Sequence, residues 1–269
     1  MTKPSETIAL RLEAQAVLAV SNAEQKALQT RDLAARCREQ GYHLSHQPLA
    51  VADHPGRPDK PELVAPKELP RRRNNRDTGH ASLIHAICHI EFNAINLALD
   101  AIARFTNMPD QYYADWLQVA DEEARHFQTL SAHLHSSGFA YGDFPAHNGL
   151  WEMALKTHHD PLLRMALVPR VLEARGLDVT PKMMEKLRQS GDLGAVDILE
   201  IILQEEIGHV AIGTRWFNYL CDQRQLDPLN TFTALLETHF HGAIRGPFHL
   251  EAREQAGFTE AELTWLTNR

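Results

Sequence analysis

Two short motifs carry groups able to hold a metal ion: Glu123-Ala124-Arg125-His126 and Glu206-Ile207-Gly208-His209. Residues three apart share a helix face, so each motif offers a carboxylate and an imidazole to one ion from one helix. In a chain with sixteen histidines, composition alone yields about one such match, so position has to supply the weight. A helical bundle that binds two ions needs two Glu-x-x-His helices and two more helices giving one Glu each. Glu91 precedes the first motif and Glu173 the second. The midpoint of Glu91 and Glu123 is residue 107, at the turn signal Asn107-Met108-Pro109; that of Glu173 and Glu206 is 189.5, beside Ser190-Gly191. Two antiparallel hairpins therefore bring each pair of carboxylates to one depth. The separations, 32 and 33 residues, repeat the same geometry.

Each carboxylate falls in an apolar stripe. Glu91 shares a face with Ile84, Ile87, Cys88, Ile95 and Ala98. Glu123 does so with Trp116, Val119, Phe127 and Leu130, and Glu206 with Leu199, Ile202, Leu203 and Val210, while Glu173 follows Leu162, Ala166 and Pro169. Burying an unpaired carboxylate costs several kcal/mol, so such groups demand cations. Four Glu⁻ and two neutral His balance two divalent ions. With oxygen and nitrogen donors and no thiolate, the set Glu91, Glu123, His126, Glu173, Glu206 and His209 suits two iron ions, or Mn/Fe or Mn/Mn, better than zinc or copper.

The elements that must position these groups are helices. Residues 6 to about 40 read as one helix. Residues 42–76 hold Pro48, Pro55, Pro58, Pro61, Pro66 and Pro70 and end in the basic run Arg71-Arg72-Arg73-Asn74-Asn75-Arg76, so they read as an extended strap. Helices follow over about 78–105, from beyond the Asn107-Met108-Pro109 turn to about 134, and over about 149–157 and 160–176. Thr180-Pro181 looks like a cap and first turn of a further helix to about 189. A long helix spans about 195–222, and the chain closes with helices near 228–239 and 259–267. The expected fold is all-α: a four-helix bundle over 78–222, preceded by a helix and strap over 1–77 and followed by packed helices over 223–269. The break at Gly176 and Thr180-Pro181 implies that Glu173 is the mobile ligand and that substrate enters on its side.

Other residues read more plainly. His85 and His89 point away from Glu91 on the same helix and read as structural or hydrogen-bonding groups. His158, His159, His239 and His241 read as surface or loop. Tyr112, Tyr113 and Trp116 read as core, although aromatic residues beside such a site can carry radicals. Trp116, Phe127 and Leu130 are candidate walls for a substrate pocket. Cys37, Cys88 and Cys221 are odd in number and scattered, and read as reduced core thiols. The net charge of −8 and pI near 6.0 do not favour nucleic acid or an anionic membrane. No apolar leader and no clear spanning segment are visible, so the expectation is a cytoplasmic protein without a membrane, with a homo-oligomer left open.

Glu122-Glu123-Ala124-Arg125-His126 resembles the acid-Glu-x-Arg-His signature of di-iron oxygenases, desaturases and ribonucleotide reductase small subunits, in the ferritin-like superfamily. Glu205-Glu206-Ile207-Gly208-His209 resembles it with Gly208 in place of the arginine. His89-Ile90-Glu91, Val171-Leu172-Glu173-Ala174-Arg175-Gly176-Leu177-Asp178 and Gly208-His209-Val210-Ala211-Ile212-Gly213 resemble an uncharacterised bacterial ferritin-like family across most of the chain. The resemblance implies that Glu122 and Glu205 each hydrogen-bond a ligand histidine of the opposite motif, and that Arg125 holds one of these acids. It implies an oxidase or monooxygenase that uses O₂ and a reductant on a small organic molecule or, as in a tRNA hydroxylase, an RNA. A peroxide-reducing or iron-handling protein and a metal-stabilised scaffold are the alternatives.

Overall fold

The computed structural model describes residues 7–69, 76–240 and 244–268. Met1–Glu6, the basic run at Arg71–Arg73 with Asn74 and Asn75, and His241 lie outside them. Among the described residues the fold is all-α apart from a two-residue parallel pairing, Ile8–Ala9 (β1) with Tyr42–His43 (β2), and an isolated parallel bridge between Leu63 and Ala146. Residues up to Trp151 form one compact unit and residues from Glu152 a second.

The first unit holds α1 (Leu10–Leu18), α2 (Ala23–Gln40), α3 (Arg76–Arg104) and α4 (Asp110–Ser136). The single helix expected over 6–40 is two. The Asn22 side chain accepts a hydrogen bond from the Gln25 amide at 2.8 Å and starts α2 afresh, because a cap satisfies a first-turn donor that a continuous helix would not expose. α3 is the centre of the unit and packs on α1, α2 and α4. Its stretch from Thr78 is long and apolar enough to cross a membrane by length and composition, yet 89% of the apolar window is buried inside the protein, as in a core helix. The carbonyls left over at its C-terminal end are satisfied by buried Arg11, which donates to Ala103 O at 2.6 Å and Ile102 O at 3.3 Å. The same guanidinium donates to Ser45 O and to Gln47 O, tying the start of the strap to the end of the core helix. The α3–α4 turn sits where the motif spacing places it, with Asn107 at φ 59°.

The strap is extended, with one turn of 3₁₀ helix at Pro66–Glu68. Prolines remove its donors, so its carbonyls take side-chain donors instead. Gln15 Nε2 reaches Ala50 O at 2.6 Å, Lys26 Nζ reaches Gly56 O at 2.5 Å, Arg104 Nη2 reaches Ala52 O at 3.1 Å, and Trp151 Nε1 reaches Asp53 O at 2.9 Å. Lys26 also donates to Asn96 Oδ1 on α3 at 2.5 Å, and burial brings its pKa down to about 7. A neutral amine still has the two donors this geometry uses.

The second unit runs through α5 (Gly149–Lys156), which begins just before it, α6 (Pro161–Leu167), a π-helical turn at Val168–Glu173, α7 (Ala174–Ser190), α8 (Leu193–Gln223), α9 (Pro228–Phe240), α10 (Leu250–Gln255) and α11 (Glu260–Thr267). Asp160 and Asp192 cap α6 and α8 through the Leu162 and Ala195 amides. The break expected at Gly176 and Thr180-Pro181 is absent: α7 continues through Pro181 to Gly191, whose φ of 87° ends it. Proline costs one backbone bond, and the buried face at Leu177, Thr180, Met184 and Leu187, packed on α8, holds the helix through it. The irregularity lies earlier, in the π turn, and α10 is a helix that the sequence reading passes over.

His85 on α3 is fully buried. Its Nε2 accepts from the Gly142 amide at 2.9 Å, its ring stacks on Tyr141, and burial lowers its pKa from 6.5 to about 4. A histidine held neutral in the fold contributes its full stability above pH 6.5. That stability is lost as pH falls from 6.5 towards 4, because the unfolded chain takes up the proton first. In urea titrations between pH 7 and pH 4, the wild-type protein should therefore lose up to about 3 kcal/mol more than His85→Gln. Parallel pH profiles for the two proteins would rule the histidine out as the source.

Candidate metal centre

In the first unit the α3–α4 hairpin brings Glu91, Glu123 and His126 together. Their ligand-type atoms lie within 4.8 Å of one another, and all three residues are buried. His126 Nδ1 is 3.3 Å from Glu91 Oε2 and 3.5 Å from Glu123 Oε2. Burial first, and then the Glu123 carboxylate, push the Glu91 carboxyl well above the ordinary carboxylate range, with His126 opposing. Two carboxyls so placed need a shared proton or a cation. The Cys88 thiol, one turn before Glu91, is itself pushed well up by burial and by Glu91, so it stays protonated and lends no thiolate to the donor set.

The second unit carries the other three candidates, Glu173, Glu206 and His209. His209 Nδ1 is 3.7 Å from Glu206 Oε2 on α8, with His209 buried and the Glu206 side chain 12% exposed. Glu173 is the last residue of the π turn and is buried. Its placement follows from a close helix approach. A Cβ built on Gly213 would come within 2.3 Å of the Pro169 ring, so α8 touches the π turn there and leaves no room for a side chain. The hairpin is antiparallel. One turn forward from Pro169 is Glu173, and one turn back from Gly213 is His209, with Glu206 on the same face. A π turn inserts one residue and re-aims the side chains after it, a device common at functional sites. Pro169 inside an otherwise helical stretch was the visible signal for it, and Gly213 the signal for the close approach.

A family described as "Protein of unknown function (DUF455)" matches residues 19–264. The chain belongs to that family. A relative from Haemophilus influenzae described as an uncharacterized protein is 51% identical over 216 residues, covering 78% of this chain and 75% of the relative. No solved structure matches the chain. The family match spans all six candidate ligand residues and α10, and runs into α11.

Glu122, Arg125 and Glu205 are half-buried, and Glu122 Oε1 accepts from Gln118 Nε2 at 3.0 Å. His89 Nδ1 meets Tyr141 Oη at 2.8 Å and its Nε2 meets Asn93 Nδ2 at 3.0 Å, a hydrogen-bonding role. His158 and His159 are exposed and His239 is half-buried. The three cysteines are free and buried. The Tyr112 and Tyr113 hydroxyls donate to backbone carbonyls at Ala101 and Phe105 within the hairpin core. Trp116, Phe127 and Leu130 pack in the core, Phe127 against Phe92 and Tyr141, and do not line the small cavity beneath the strap. That cavity, about 30 Å³, lies under the strap between Pro55, Pro58 and Pro61 and the His89–Asn93–Asn96 face of α3, turned away from Glu91.

Because Gly213 sets the approach of α8 to the π turn, Gly213→Ala should destabilise the protein by about 1–3 kcal/mol through overpacking. Chemical denaturation measures it. A substitution without effect would mean that the Pro169 contact does not hold the register.

Proposed function

We propose that the chain is a ferritin-like di-iron carboxylate protein. It would bind two metal ions, iron first, one at Glu91, Glu123 and His126 and one at Glu173, Glu206 and His209, and use them with O₂ to oxidise an organic substrate. The observation that carries this reading is the Glu91–Glu123–His126 group: two carboxyls and an imidazole buried side by side, at a cost that a divalent cation offsets. The matching residues of the second unit support two ions per chain. As a pair, two irons supply the electrons for a two-electron reduction of O₂.

The chain's own residues supply the rest. The apolar stripes of α3, α4 and α8 keep the carboxylates dry, which strengthens their hold on a cation. The i,i+3 spacing of each motif presents oxygen and nitrogen from one helix face. Gly208, exposed and with open space where a Cβ would stand, sets the second motif apart from the first, where Arg125 occupies that position. The two motifs are therefore unequal in charge.

Anaerobic protein loaded with Fe²⁺ should take up two equivalents per chain, and Glu123→Ala and Glu206→Ala should each lower that number. Metal should also raise the unfolding temperature, since a ligand of the native state stabilises it by mass action. On exposure to O₂ the loaded protein should consume oxygen in a limited ratio to its sites. Two equivalents retained by the variant with alanine at Glu91, Glu123, Glu173 and Glu206 would overturn the assignment. Continued uptake of hundreds of irons would place the protein with storage ferritins, and no reaction with O₂ would leave a metal-stabilised scaffold.

A further inference from the structure

Four charged residues of the second unit, Arg170, Asp178, Arg253 and Glu262, take no direct part in the reading above, yet all are buried, and Arg170 and Asp178 flank Glu173 along the chain. Arg170 belongs to the π turn and donates through Nη2 to Glu262 Oε1 on α11 at 2.5 Å. Its guanidinium carbon lies 4.6, 4.1 and 4.6 Å from the ring centres of Phe217, Phe232 and Phe258. Arg170 Nε and Nη1 have no hydrogen-bond partner among the described residues, so the ring faces take up the remaining charge. The other oxygen of Glu262 is already committed, accepting from the Thr259 amide at 2.8 Å in the capping box that starts α11.

On the other side of Glu173, Asp178 of α7 is gripped by Arg253 of α10. Arg253 donates through Nε to Oδ1 at 2.9 Å and through Nη2 to Oδ2 at 2.7 Å. Arg253 Nη2 also reaches Ala174 O, the carbonyl next to the ligand residue, at 3.4 Å. Asp178 Oδ1 further accepts from the His249 amide at 2.9 Å, at the start of α10. The two arginines meet the same ring, since Arg253 lies 5.1 Å from the centre of Phe258.

We infer that α10 and α11 form a clamp that positions the Glu173 carboxylate, with Arg170 and Asp178 as positioning residues held by Glu262 and Arg253. A π turn is a rare, single-turn departure from the α-helix that re-aims the side chains around it, so their directions gain from external support. Anchors three residues before Glu173 and five residues after it supply that support from both sides. A clamp that served stability alone would have no need to bracket the one irregular turn in α6–α7. This also accounts for Asp178 in the Leu172–Asp178 stretch, which offers nothing to a metal itself. The inference rests on the two-ion reading, which the experiment checks separately.

The test uses the full chain and Co²⁺ alone, followed by visible absorption, with helical content measured by circular dichroism. Wild-type protein should bind two Co²⁺. Glu262→Gln and Arg253→Lys should keep one ion at wild-type affinity and weaken the other roughly ten- to hundredfold, the effect of losing a group that orients a ligand. If Glu262→Gln loses helical content, Arg253→Lys, which keeps the charge and loses the two-pronged grip, carries the comparison. Wild-type affinity for both ions in the folded variants overturns the clamp, as does an equal loss at both ions, which is a general weakening of the fold. A wild-type protein that binds no Co²⁺, or whose binding is indifferent to Glu91→Ala, removes the two-ion reading and the clamp with it.

Discussion

Carboxylates buried against one another are the constraint from which the rest of the first unit follows. Glu91 and Glu123 sit where water cannot screen them, and burial together with their mutual repulsion opposes ionisation of both. Such a pair survives only on a scaffold stiff enough to prevent the helices from splaying to admit water. α3 provides it, buried along most of its length and packed by α1, α2 and α4. Its free C-terminal carbonyls, a weak point in any buried helix, are closed by Arg11. The strap that covers α3 is held by donors from the helices beneath it and from Trp151, a consequence of its own lack of backbone donors.

The second unit meets the same demand by different means. The α3–α4 hairpin places its ligand-type residues by regular helix geometry about the turn at Asn107. In the second unit a contact, Pro169 against Gly213, instead brings the π turn that ends in Glu173 against α8, the helix that carries Glu206 and His209. The irregular turn then needs support that a regular helix does not. The buried ion pairs around it, Arg170 with Glu262 and Asp178 with Arg253, are of the kind that costs desolvation and returns geometric definition.

Much of this was legible in the chain. The motif spacing, the midpoints at residues 107 and 189.5 and the apolar stripes located the helices, the hairpin turns and the burial of Glu91, Glu123 and Glu173, because helical periodicity and turn chemistry are local properties, whereas Glu206, expected in the same kind of stripe, keeps 12% of its side chain exposed. Proline content identified the strap for the same reason. Local signals misled where local structure was overridden. Residues 6–40 lack a strong breaker, yet Asn22 caps a new helix. Thr180-Pro181 has the form of a helix start, yet packing on α8 carries α7 through it.

What only the tertiary structure decided lies in contacts between distant parts of the chain. The π turn at Val168–Glu173 has Pro169 as its one local sign, and its reason for being is a glycine forty-four residues later. The pairing of Arg170 with Glu262 joins positions 92 residues apart, and nothing in the spacing of either announces the other. Periodicity tells which face of a helix is apolar, since that depends on residues one turn apart. It cannot tell which buried charge will meet which, because that depends on how whole helices settle against one another.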